Sequence, residues 1–184
     1  MFDYARCVVR QKRMAVEAYL KAPTDSPKSR QILSRITITE CLGAGELRFN
    51  AVVFRAGLYN ALYAIDFSRS APDISKAPFI LYNRLEVKEG AYTAANWWDM
   101  EELSDCAVRK APEKARILVM TRVGTPDEKA AFQDMTAAYS ACLHQDQRVA
   151  FSPIMLRGYV GEVLYRLSLA SQDSHTALSA GEAR

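Results

Sequence analysis

FSPIMLRGYVGEVLY, Phe151 to Tyr165, repeats almost position for position an earlier stretch, FNAVVFRAGLYNALY, Phe49 to Tyr63. No gap is needed to align them. Phe49 meets Phe151, Arg55 meets Arg157, Leu62 meets Leu164 and Tyr63 meets Tyr165, while other positions exchange like for like, such as Val52 for Ile154 and Ala56 for Gly158. Phe54, Leu58 and Leu62, and likewise Leu156, Val160 and Leu164, recur at the spacing of one helical face. Asn50 and Ser152 stand where an N-cap belongs, and Pro153 suits the first helical position because its missing N–H would be orphaned there anyway. The stretch is therefore one helix written twice, each time with an arginine among apolar residues.

Working outward, the similarity continues. CVVRQ at Cys7 to Gln11 falls on CAVRK at Cys106 to Lys110. Ser26 and Pro27 of SPKS match Thr125 and Pro126 of TPDE, each a hydroxyl cap followed by proline, and Glu128 completes a capping box with Thr125. Cys41-Leu42 and Cys142-Leu143 then close a second helix in each copy, expected from about Pro27 to Cys41 and from about Pro126 to Cys142. Before it, Pro112 breaks the second copy where Arg13 stands in the first, so two short helices are expected there. These landmarks in one order predict an all-α chain, a tandem duplication of a small unit with about four short helices each. Copy 1 covers 1–67, a linker 68–98, copy 2 99–168, and a small, polar tail 169–184 is expected to be disordered.

Within the linker, FILYNRLEV has the β-branched and aromatic texture of a short hairpin. Trp97 and Trp98 precede Asp99, which with Glu102 reads as another capping box; the tryptophans are expected to seal the junction between copies, with ligand stacking as the alternative.

All four cysteines belong to the repeat, two per copy. Disulfides Cys7 to Cys41 and Cys106 to Cys142 would staple the first helix of each copy to the end of its second, each worth roughly 3 to 4 kcal/mol in the chain-entropy account. Two other readings stand beside this one. Four buried free thiols would suit a cytoplasmic protein, and a zinc site is disfavoured because no two cysteines lie close in sequence; no metal or cofactor is expected. Disulfides imply an oxidising compartment. The N-terminal MFDYARCVVRQKR lacks the order of a secretory signal, which leaves a cytoplasmic protein or one whose signal has been removed.

The chain has 184 residues, 49% of them hydrophobic, and a formal net charge of +3, enough for a core and too little charge for a typical nucleic-acid binder. No apolar run reaches the roughly 18 to 20 residues of a membrane span. Catalytic motifs are missing from the sequence: the histidines are His144 and His175 alone, and no G-x-S-x-G, H-E-x-x-H or P-loop is present. The repeated polar positions remain as candidates for binding or for the seam between helices: Arg10 with Arg109, Arg55 with Arg157, and Asn60 aligned with Glu162. A buried arginine at such positions can hold carbonyls or a carboxylate with its fixed fork of donors. Basic residues crowd the first copy.

Taken together, YARCVVR, a helix ending in CL, and the arginine-bearing helix, twice in one chain, resemble an uncharacterised group of exported bacterial proteins with paired-cysteine helical repeats. The resemblance implies a periplasmic or secreted location and an architecture, with no activity attached. A non-catalytic binding or scaffolding module of the bacterial envelope is the expected function, its site in a groove between the copies and its partner an unknown protein or small ligand. The alternatives are a small enzyme with a site between the copies and a binder of nucleic acid or anionic surfaces through the basic first copy.

Overall fold

The computed structural model describes residues 1–24, 26–43, 46, 48, 50–80, 92–143 and 152–181, with the backbone alone for 92–99 and 173–181. Among them are seven α-helices, one 3-10 turn and no strand. They are α1 (Phe2–Lys21), α2 (Pro27–Ile36), the 3-10 turn (Thr39–Cys41), α3 (Ala51–Asp66), α4 (Tyr92–Lys110), α5 (Pro112–Met120), α6 (Pro126–Ser140) and α7 (Pro153–Gly181). The all-α expectation holds.

Helix starts follow the capping chemistry in the sequence. Ser26 Oγ accepts from Ser29 N at 3.0 Å, Asn50 Oδ1 from Val53 N at 2.8 Å, Thr125 Oγ1 from Glu128 N at 3.3 Å and Ser152 Oγ from Met155 N at 3.4 Å. Glu128 returns its bond to Gly124 N, 2.7 Å away, rather than to the cap residue. Gly124 sits at φ +77°, in the left-handed region that suits glycine.

Several boundaries differ from those expected. At the first segment the two short helices expected do occur, run together as α1 across a kink at Lys12 (φ −130°, ψ 32°); the aligned place later in the chain is the break at Ala111 (φ −141°, ψ 60°) between α4 and α5. Arg13 keeps the backbone N–H that Pro112 lacks, so α1 bends where the second half separates. Helix α2, expected to reach Cys41, stops at Ile36, because the β-branched run Ile36-Thr37-Ile38-Thr39 disfavours helix. There the Tyr4 hydroxyl donates to the Ile38 carbonyl at 3.2 Å and accepts from Ile38 N at 3.0 Å, fixing the extended break. Helix α4 begins at Tyr92, so Asp99 lies inside it and is not its N-cap. Helix α7 runs on to Gly181, so 169–181 is helical, in place of the irregular tail expected. The expected hairpin falls largely on 81–91, outside the described residues.

The core forms around α3 and α7. Phe54, Leu58, Leu62 and Tyr63 of α3 and Val160, Val163, Leu164 and Leu167 of α7 are all buried. Helix α1 packs on α3, and α4 and α5 pack on α7. Gly158 lies against Ala56, Gly161 against Asn60, and Tyr165 against Phe67, so contacts advance in the same order along both helices, which run side by side in one direction.

Candidate functional site

Arg55 and Arg157, the two arginines in the apolar helices, are buried and each closes the C-terminal end of another helix. Arg55 donates to the Tyr19 carbonyl at 3.2 Å and the Leu20 carbonyl, in the last turn of α1, and to the carbonyl of its C-cap Ala22 at 3.4 Å. Its guanidinium also lies over the rings of Tyr19 and Tyr59, 5.7 Å from each centroid. Arg157 does the same for α5, with Nη2 donating to Val119 O at 2.8 Å and Thr121 O at 2.7 Å. The last carbonyls of a helix have no intrahelical partner, and a cation there also meets the negative end of the helix dipole.

The second clamp adds a carboxylate. Arg157 Nη1 pairs with Glu128 Oε1 at 2.8 Å, both side chains being largely buried. Burial lowers the Arg157 pKa, and Glu128 offsets this only in part. Because Glu128 also binds Gly124 N, one carboxylate ties the start of α6 to α7 and, through Arg157, to the end of α5.

Helices α3 and α7 approach closely at two glycines. A Cβ added at Gly158 would stand 2.5 Å from Ala56 Cβ, and one at Gly161 would stand 2.1 Å from Asn60 Nδ2. Asn60 Nδ2 donates to Ala56 O at 2.9 Å and, across the contact, to Arg157 O at 3.1 Å. Tyr59 and Tyr165 pack with ring centroids 6.1 Å apart. Nearby, the space lined by Tyr63, Ile74, Arg116 and Leu164 is about 10 Å³, the size of a single water.

Glu162, aligned with Asn60 in sequence, makes a different bond. It is buried and pairs with Arg166 at 2.6 Å; Arg166 in turn donates to the Tyr59 hydroxyl at 3.3 Å. Burial opposes the charge on Arg166, but Glu162, Tyr59 and Glu101 outweigh it, so its pKa is raised. Tyr159 is raised by burial first and then by Glu101 and Glu162. Ser104 of α4 and Tyr139 of α6 share a hydrogen bond of 2.8 Å inside the core.

Arg109 and Arg10 part company. Arg109 pairs with Asp105 at 2.7 Å and donates to the carbonyls of Ala77 at 2.9 Å and Pro78 at 2.8 Å, so it fastens the connecting segment to α4. Arg10 is exposed on α1. Beside Cys106, an open depression of about 290 Å³ is lined by Phe79, Glu102, Asp105 and Arg109. Trp97 and Trp98 belong to α4, but their side chains lie outside the described residues, as does His144.

The four cysteines pair at disulfide distance, Cys7 with Cys41 and Cys106 with Cys142, with Cα–Cα separations of 5.6 and 6.0 Å. None is left over, and no cluster of ligating side chains among the described residues could hold a metal. The two staples hold unequal helices. Helix α2 buries only Ser29 and Ile36 and packs on α1, whereas α6 buries Ala131, Met135, Ala138 and Tyr139 between α4 and α5.

Sequence reasoning passed over two further anchors. Arg116 donates to Phe67 O at 2.7 Å and Ser68 O at 3.0 Å, closing the end of α3. Arg13 holds Asp66 through two bonds of 2.7 Å, and Tyr165 donates to the same carboxylate at 3.3 Å. Neither has a like residue at its matching position: Arg116 corresponds to Glu17 and Arg13 to Pro112. The recurrence that drew attention to Arg55 and Arg157 was therefore silent here.

Among protein families, curated proteins and solved structures, none matches this chain.

Proposed function

We propose that the chain is a tandem duplication of one disulfide-stapled helical unit, acting as a non-catalytic binding or scaffolding module of the bacterial envelope. The observation that carries the reading is the pair of arginine clamps. Leu20 and Ala22 correspond to Val119 and Thr121 when Cys7 is laid on Cys106, so Arg55 and Arg157 bind the same two carbonyl positions in their own halves. The kink at Lys12 and the break at Ala111 also coincide under that alignment.

A rigid, stapled body suits a partner-holding role. The cysteine pairs at disulfide distance favour an oxidising compartment, periplasmic or extracellular, and no described helix is long and apolar enough to cross a membrane. The close seam of α3 and α7 directs a binding surface to the outside of the module rather than between the halves.

The test is made in intact cells. A membrane-permeant maleimide should leave all four cysteines unlabelled until reductant is added, and chemical cross-linking should give a discrete complex. Labelling of the thiols without reductant would remove the compartment; the absence of any cross-linked species would remove the binding role.

A further inference from the structure

We propose that the exposed basic side chains of α1 and α2 dock the chain on an anionic membrane surface, held by the phosphates of phospholipid head groups. The inference rests on the duplication above, because the second half then serves as a control for what the fold itself requires. Residues 1–36 hold eight Lys or Arg against three Asp or Glu, whereas the matching 100–135 hold six against seven.

The contrast is cleanest between α2 and α6. Lys28 and Arg35 are exposed and seven residues apart, hence on one face of α2, a helix with no acidic residue. Their counterparts on α6 are Asp127 and Asp134, also exposed. Both helices share the hydroxyl cap and the first-position proline. The unit thus builds this helix with either sign of charge outside, and the positive sign on α2 is not a requirement of folding.

On α1 the same logic applies to Arg6 and Arg10, exposed and one turn apart. Their counterparts Asp105 and Arg109 form an ion pair that fastens the connecting segment. Two cations cannot pair with each other, so in the first half both point to solvent. Arg13 takes no part, since Asp66 and Glu17 already hold it.

A membrane fits this face better than a nucleic acid does. The aromatic residues of α1, Phe2, Tyr4 and Tyr19, are partly or fully buried and α2 has none, so no platform is offered for stacking bases. Attachment is peripheral and additive, each basic residue near such a surface strengthening it about fivefold, and it weakens as salt screens the charges.

The experiment is co-sedimentation of the full chain with vesicles of phosphatidylglycerol and phosphatidylcholine, compared with phosphatidylcholine alone, at low and high salt. Binding is expected only with the anionic vesicles and only at low salt. Lys28→Asp with Arg35→Asp should weaken it at least about tenfold with an unchanged melting temperature, and Lys28→Gln with Arg35→Gln should weaken it less. No binding to anionic vesicles at low salt, salt-insensitive binding, unchanged binding by either double variant, or tighter binding to duplex DNA than to vesicles would each overturn the proposal. Unfolding of the aspartate variant alone would break the equivalence of α2 and α6, a failure of the duplication that is distinct from a folded variant that still binds; both end the argument.

Discussion

Gly158 lies so close to Ala56 that a methyl group on the glycine would stand 2.5 Å from the alanine Cβ, well inside contact distance. Ala56 and Gly158 are also the residues that align with each other in the sequence repeat. Small side chains at both positions let the two backbones approach. Gly161→Ala is the sharper probe of this contact: its methyl would meet Asn60, whose amide is buried and held by two carbonyls. Each of Gly158→Ala and Gly161→Ala should cost about 1–3 kcal/mol, read as a lower urea midpoint with little change in slope.

The arginine clamps predict unequal losses. Arg157→Met strands Glu128 and two carbonyls and should cost about 3–5 kcal/mol, as for breaking a buried ion pair. Arg55→Met frees carbonyls only and should cost about 2–3 kcal/mol. Lysine at either position should recover little, because an ammonium cannot fork between carbonyls. Chemical denaturation of the four variants tests both the order and the failure of rescue.

The two disulfides should differ in kind more than in size. Removing either opens a loop of similar length, 34 or 36 residues in sequence separation, worth about 3–4 kcal/mol. Helix α2 has little else to hold it. Cys7→Ser with Cys41→Ser should therefore raise amide exchange selectively over 26–42, whereas Cys106→Ser with Cys142→Ser should lower global stability while α6 stays as protected as its neighbours.

Tyrosines set the alkaline limit. Burial raises the pKa of Tyr59, Tyr63, Tyr139, Tyr159 and Tyr165 above the ordinary value of 10.0. Above pH 10 the unfolded chain gives up phenol protons that the folded one keeps, so folding is favoured less as pH rises. Stability from these groups is fully present below pH 10 and is lost progressively above it. Phenolate absorbance should show these five of the nine tyrosines ionising late, together with loss of helical circular dichroism.

Much of the fold was legible because several sequence stretches recur. The caps Ser26, Asn50, Thr125 and Ser152, the cysteine pairs and the buried arginines all stood out as recurrences, and each has a local physical cause. What a single copy states once was harder to read. The early end of α2 depends on the β-branched run after Ile36 and on a distant hydroxyl from Tyr4. The continuation of α7 to Gly181 is supported by Ser171 Oγ, which donates to the Asp73 carbonyl at 2.6 Å, a tertiary contact invisible in the polar composition of that segment. At the contact of α3 and α7 the arginines turn away to the ends of α1 and α5, and glycine meets alanine and asparagine there.

Peptide mapping of the unreduced protein tests the stapled duplication most directly. Linked fragments should join Cys7 to Cys41 and Cys106 to Cys142, and reduction should add the mass of four hydrogens, one for each cysteine. Unreduced protein with four free thiols, or fragments joining a cysteine of one half to a cysteine of the other, would contradict it.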